Sequence, residues 1–229
     1  MKIGIMQPYF FPYIGYFQLI NAVDKFVIYD DVNYIKQGWI NRNRILLNGK
    51  DHLFTLNLVG ASSFKLINEI EISNNINKLL KTIYQEYSKA PFFIKSFPII
   101  EDIFTFNDTN LGRFLENSIR RLCDYFHINT EILVSSKIEK QQKLEGQEKI
   151  IDICKRLNAN EYINAIGGQE LYSKNIFNQN EIKLSFIKSK PTEYKQFNNE
   201  FVSWLSIIDL MMFNSPEQIS QMLDQYELL

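Results

Sequence analysis

The sequence predicts an α/β protein: a parallel sheet interrupted by an inserted hairpin and a helical subdomain. Three observations point there. Two apolar runs of strand length, Lys2 to Met6 and Phe26 to Tyr29, flank Gly15 to Val23, where Phe17, Ile20 and Val23 share one helical face. Strand, helix, strand within about 30 residues is the βαβ unit, whose right-handed crossover leaves its strands parallel. The same alternation returns after residue 130, with three helical segments in a row between the two parts. The expected architecture is therefore a Rossmann-like sheet.

The elements follow in order. Trp39 to Leu47 and His52 to Leu58 flank Asn48-Gly49, a hairpin turn signal. Ser73 is placed to cap a helix carrying Ile76, Leu79, Leu80, Ile83 and Tyr87. Asp108 is placed to cap another, carrying Leu111, Leu115, Ile119, Leu122 and Phe126. Between them Ala90 to Phe106 contains Pro98, which removes a donor from the helix interior, so a kinked or split piece is expected. Glu131 to Val134 then reads as a strand, Gly146 to Leu157 as a helix and Glu161 to Ala165 as a strand. Glu170 to Phe177 reads as a short helix and Ile182 to Ile187 as a strand. VSWLSIIDLMMF, residues 202 to 213, is apolar on nearly every side, the mark of a buried helix. Ser215, Pro216 and Gln218 supply a cap, an N1 proline and a capping-box partner for the last helix. The organisation expected is one domain over residues 1–229, with an α/β core of 1–72 and 127–229 and a helical insertion at about 73–126.

Composition narrows the function classes. Over 229 residues, 45% hydrophobic and 22% charged side chains describe a soluble globular protein. A net charge of -1 with interspersed signs argues against a surface devoted to nucleic acid. No apolar run reaches the ~18 residues of a membrane span, and the N-terminus lacks signal-peptide regions, so a cytoplasmic location is expected. Cys123 and Cys154 show no CxxC spacing and read as buried thiols. His52 and His127 read as structural. No triad, metal-ligand cluster or cofactor motif emerges, so a base would be a carboxylate, a tyrosine or the substrate's own group.

Candidate site residues gather at the predicted strand ends. In open parallel sheets ligands bind beyond the carboxyl ends of the strands, and Gln7 to Tyr13 begins there. Gln7 carries donors and acceptors, Tyr9 and Tyr13 offer rings and hydroxyls, and Gly15 lets the helix start approach a phosphate. Phe10, Phe11 and Phe17 are expected to pack the core. Asp30 and Asp31 end the second strand as the candidate catalytic carboxylates, able to bind sugar hydroxyls or act as a base. Alternation allows only one of them to face the crevice, and capping of the next turn is the alternative. In YIKQGWINRNRI, Lys36, Arg42 and Arg44 are spaced by Trp39, Asn41 and Asn43, and the two arginines share one face of an extended segment. Such a guanidinium pair suits phosphate or carboxylate, against the alternative of a solvated basic strand. Gly167-Gly168 follows a third strand end, where bare backbone suits an anion or a flat ring. Asp209, three residues after Ser206 in an apolar helix, must find donors or shift its pKa, whether it holds a loop or touches substrate.

These residues carry a resemblance. KIGIMQPYFFPYIGYFQLINAVDKFVIYDDVNYIKQGWINRNRI, YINAIGGQELY and LSIIDLMMFNSPEQI together resemble the WbqC-like protein family, named from a bacterial O-antigen gene cluster. The likeness runs from the first residue almost to the last. It implies a cytoplasmic bacterial protein of surface-polysaccharide biosynthesis. More distantly, the opening is similar to that of the nucleotidylyltransferase superfamily, whose H-x-G-H signature binds nucleotide phosphates. Here the matching positions are Tyr13, Ile14, Gly15 and Tyr16, so the glycine is kept and both histidines are absent. A neutral phenol supplies no cation for phosphate charge, which argues against nucleotidyl transfer and leaves nucleotide binding open. The function expected is transfer of an acyl or aminoacyl group, from an acyl donor or a carrier protein, to the amine of a nucleotide-linked amino sugar. Such a reaction needs positioning, an oxyanion stabiliser and a modest base. The alternative is a protein that binds a sugar nucleotide or a partner enzyme without chemistry of its own.

Overall fold

The computed structural model describes residues 1–73, 75–141, 143–198 and 200–229. The chain opens with β1 (Lys2–Met6), α1 (Ile14–Asn21) and β2 (Lys25–Ile28). β1 and β2 pair in parallel with Ile5 opposite Val27, the geometry the periodicity predicts. An antiparallel hairpin follows, β3 (Arg42–Leu47) and β4 (Lys50–Thr55). Its turn passes through Asn48 and Gly49 at φ 51° and 74°, the positive pair that a primed hairpin turn demands. A short ribbon, β5 (Leu58–Val59) with β6 (Glu71–Ile72), leads to helices α2 (Ile76–Tyr87), α3 (Phe93–Phe104) and α4 (Leu111–Tyr125). The chain then runs through β7 (Glu131–Val134), α5 (Gly146–Arg156), β8 (Glu161–Ala165), α6 (Lys174–Gln179) and β9 (Lys183–Ser189). It ends with α7 (Ile207–Phe213), α8 (Pro216–Leu223) and β10 (Tyr226–Leu228).

Six strands form the central sheet in the order β10-β9-β8-β1-β2-β7, parallel except for β10. The chain therefore builds outward from β1 on one side and from β8 on the other. The order of connection reverses between those two strands, and the crevice outside their carboxyl ends is where such sheets bind ligands. Strand alternation divides the core in two. Ile3, Ile5 and Val27 face Ile150, Ile153 and Phe177 of α5 and α6. Phe26 and Ile28 face the other way, into a cluster with Phe17, Leu19 and Ile20 of α1. A slip of one residue in β1 or β2 would send each set to the wrong face. Ile83, Ile100 and Phe114 of the inserted helices join the same cluster as Phe17 and Phe26. Each such side chain, fully buried, contributes about 1.5 to 3 kcal/mol relative to exposure.

Several local expectations are corrected. α3 is one helix through Pro98, so the piece is not split. The carbonyl that loses its partner belongs to Ile94, which is 86% exposed, so it lies on the solvent side. Asn75 and Asn110, not Ser73 and Asp108, stand at the starts of α2 and α4. Asn110 accepts from Arg113 N, while Asp108 accepts from Asn110 N and pairs with Arg113. Glu170 to Phe177 is not one helix: a 3-10 turn covers Ile166–Leu171, Tyr172 is extended, and α6 starts afresh. The apolar run 202–213 is helical only from Ile207, because Ser206 takes the cap position and Trp204 adopts φ 60°. β10 had no periodic signal at all. Cys123 and Cys154 are buried free thiols, and no described helix is long and apolar enough to cross a membrane.

Candidate functional site

The loop that leaves β1 is held from beneath. Phe10 and Phe11 turn fully inward, and Phe10 stacks on Phe54 at 4.7 Å between ring centroids. Phe11 adopts φ 42°, a conformation that a bulky residue keeps only when its surroundings enforce it. The enforcing groups are Asn43 and Ser206. Asn43 Nδ2 donates to the Phe10 and Phe11 carbonyls at 3.1 and 2.8 Å, and Ser206 Oγ donates to the Phe11 carbonyl at 2.7 Å. Ile207 N donates to the Pro12 carbonyl at 3.0 Å and Tyr16 Oη to the Gln7 carbonyl at 3.1 Å. With these carbonyls bonded and its phenylalanines inside, the loop leaves Tyr9 and Tyr13 partly exposed. The sequence reading gave Asn43 only as a spacer between the arginines; the signal for its role was the strict alternation that puts it on the face of β3 opposite Arg42 and Arg44.

Beyond β1 and β8 lies a cleft of about 390 Å³ lined by Gln7, Tyr9, Tyr13, Gly15, Gly167 and Gly168. Tyr16, Tyr29, Asn164 and Tyr172 add further polar groups to its lining, and the sequence reading named none of them as site residues. Asn164 is locked in orientation: Nδ2 donates to Tyr162 Oη at 2.8 Å and Oδ1 accepts from Ala165 N at 2.7 Å. Burial raises the pKa of the Tyr9, Tyr29 and Tyr172 hydroxyls, so they serve as hydrogen-bond donors and acceptors and not as bases near neutrality. The space above Gly15 is filled. A Cβ there would collide with the Tyr13 hydroxyl end and lie 2.5 Å from Ser189 Oγ, so Gly15 makes room for Tyr13 and not for a phosphate. Gly167 faces open space, while Gly168 packs near the Asn164 amide.

The paired carboxylates do not line this cleft, contrary to the expectation that one would join Gln7. Asp30 is buried and accepts from Ser136 N at 2.9 Å, Ser136 Oγ at 2.6 Å and Asn68 Nδ2 at 3.1 Å. It anchors a turn. Asp31 pairs with Lys140 at 2.9 Å and Lys149 at 3.3 Å. Burial pushes its carboxyl up, but the adjacent Ser135 hydroxyl and the two ammonium groups hold it below its ordinary value. Lys149 in turn lies 5.0 Å from the centre of the Tyr29 ring, which does line the cleft.

The remaining candidates divide. Lys36 is exposed and lines neither aromatic cleft. Asn41 is buried as a cross-link, accepting from Tyr34 Oη at 2.7 Å and donating to the Leu56 carbonyl at 2.8 Å. Arg42 and Arg44 share a face, and both guanidiniums lie over Trp39, at 6.0 and 5.4 Å from its ring centre. Two of the five Arg42 donors, on Nε and Nη2, go to the Gly38 and Gln37 carbonyls. Arg44 makes a 3.4 Å contact with exposed Asp51 and lines a second cleft of about 340 Å³ with Tyr9, Pro12, Tyr13, Trp39 and Trp204. Asp209 is fully buried and faces neither cleft. It accepts from Tyr87 Oη at 2.9 Å, Tyr194 Oη at 2.8 Å and Gln196 Nε2 at 2.6 Å, and burial outweighs those donors to raise its pKa.

An open, mostly parallel sheet with an aromatic cleft at its switch point defines an α/β protein whose candidate ligand site is that cleft. The chain belongs to the WbqC-like protein family, whose family model matches residues 7–221. It is also similar to the Mycobacterium tuberculosis protein named Uncharacterized protein Rv1507c, with 28% identity over 216 residues, 92% of each chain. No solved structure matches it.

Proposed function

We propose that this protein acts in surface-polysaccharide biosynthesis, moving an acyl or aminoacyl group onto the amine of a nucleotide-linked amino sugar held at the switch-point cleft. The observation that carries this reading is the lining of that cleft: fixed neutral hydrogen-bonding groups and aromatic rings at the carboxyl ends of β1 and β8. Rings suit the apolar face of a sugar, and Gln7 and Asn164 suit its hydroxyls. In the reaction the amine nitrogen attacks the donor's carbonyl carbon. The new C–N bond replaces the bond to the donor's leaving group, which departs with the proton the amine gives up. Negative charge builds on the carbonyl oxygen meanwhile, and protonated tyrosine hydroxyls are suitable donors to it. This chemistry is driven by positioning, so it asks for no side-chain nucleophile. Asp30 and Asp31, engaged elsewhere, have no part in it.

The test incubates the purified protein with a panel of amino-sugar nucleotides and activated acyl or aminoacyl donors, followed by mass spectrometry. The expected result is a sugar nucleotide heavier by one acyl group, with turnover lowered at least tenfold in Gln7→Ala. Tight sugar-nucleotide binding without product from any donor would instead favour a binding protein.

A further inference from the structure

The switch-point cleft poses a charge problem for the ligand assigned to it. A sugar nucleotide carries a phosphate or diphosphate, and none of the described residues lining that cleft is a cation. Burying such charge without a partner is costly. The adjoining cleft holds what is missing. Tyr9 and Tyr13 line both cavities, and on the far side of those rings stand Trp39, Trp204 and Arg44.

Three features of this second cleft are unusual for a bland surface. The sequence has two tryptophans, and both line it, at 39% and 66% exposure. Large indoles left in solvent on opposite elements of one hollow mark a ligand surface better than a packing defect. Trp204 sits at φ 60°, a costly conformation for a bulky residue, with its ring 5.7 Å from that of Tyr13. The third feature is Arg44. Its guanidinium is held over Trp39 at 5.4 Å, and among the described residues its only ion pair is the long, exposed contact with Asp51. A planar cation on an indole, beside a second indole, fits a flat heterocycle that carries negative charge.

We infer that the Trp39–Trp204 cleft binds the nucleotide half of the substrate, with the base stacked on indole and the phosphates at Arg44. The sugar half then reaches past Tyr9 and Tyr13 into the switch-point cleft. The inference rests on the sugar-nucleotide reading for the division of one ligand between two cavities. Nucleotide binding at the tryptophans is measured separately.

The two tryptophans are the reporter. The intact chain is titrated with UDP, GDP, dTDP and CMP, which lack the sugar, while emission is excited at the red edge of the tryptophan band. At least one nucleotide should change the emission saturably. Arg44→Gln, which keeps both indoles, should weaken that ligand about tenfold or more, as loss of a charge-assisted hydrogen bond does. Gln7→Ala should weaken the matching sugar nucleotide more than the free nucleotide. No emission change with any nucleotide at millimolar concentration would overturn the inference, as would undiminished affinity in Arg44→Gln. So would calorimetric binding that leaves the emission unchanged, because it places the nucleotide elsewhere. Nucleotide binding at the tryptophans with no acyl transfer from any donor would retain the inference and overturn the transferase reading.

Discussion

Asp30 and Asp31 are adjacent in the chain and serve unrelated ends. Asp30 ties the end of β2 to residues 38 and 106 positions away, through Asn68 and Ser136. Asp31 neutralises one of two lysines that would otherwise repel each other in a half-buried corner. A turn anchor makes a definite prediction. Asp30→Ala should lower unfolding free energy by about 2 kcal/mol, because it removes the hydrogen bonds that Ser136 N, Ser136 Oγ and Asn68 Nδ2 donate to a buried carboxylate. Affinity at either aromatic cleft should stay within about twofold, a change of less than 0.5 kcal/mol. Denaturant melts and ligand titration on this variant check both halves. A stable variant that no longer binds ligand would show that Asp30 belongs to the site after all.

Among the elements, the start of α1 is the most constrained. Tyr13 is its N-cap residue without a capping side-chain bond, because its ring folds back over Gly15. Ser189 Oγ closes the same space from β9 and donates to Gln18 Oε1 at 2.6 Å. Gln18 is fully buried and passes the connection on, donating to the Met222 and Gln225 carbonyls at 2.8 and 3.1 Å. One added methyl therefore disturbs a joint of α1, β9 and the C-terminal segment. Gly15→Ala should cost about 1 to 3 kcal/mol, the range for overpacking, and should displace the Tyr13 ring from both clefts. Thermal melts with ligand titration measure this, and a variant with wild-type melting and affinity would refute it.

At the scale of the molecule, the inserted helices and the sheet share apolar contacts. Phe17 of α1 and Phe126 after α4 meet edge to face at 5.2 Å, and Tyr87 at the end of α2 hydrogen-bonds Asp209 of α7. The Asp209 cluster also ties down the segment before α7 through Tyr194 and Gln196, the segment that carries Trp204. Elements joined this way should unfold as a unit. Scanning calorimetry should therefore give a single transition whose calorimetric and van't Hoff enthalpies agree. Separate melting of residues 73–126 would mean that the insertion is an independent domain.

Much of this was legible in residue order, and the boundary of the legible part has a physical cause. Hydrophobic period, turn chemistry and capping pattern act over a few residues. They are why β1, α1 and β2, the Asn48-Gly49 hairpin and the Ser215 capping box could be read directly. The position of Gln7, Tyr9 and Tyr13 beyond a strand end was legible for the same reason, and so was the family that residues 7–221 match. Tertiary structure decided the partners of each polar side chain, since these lie far away in sequence. Ser206 reaches Phe11 across 195 positions and Ser136 reaches Asp30 across 106. It also decided that β10 closes the sheet edge, and that Trp204 stands beside Tyr13 in the hollow that Trp39 and Arg44 also line. Local pattern sets which faces are apolar; only the packed chain sets which distant group finds a carboxylate first.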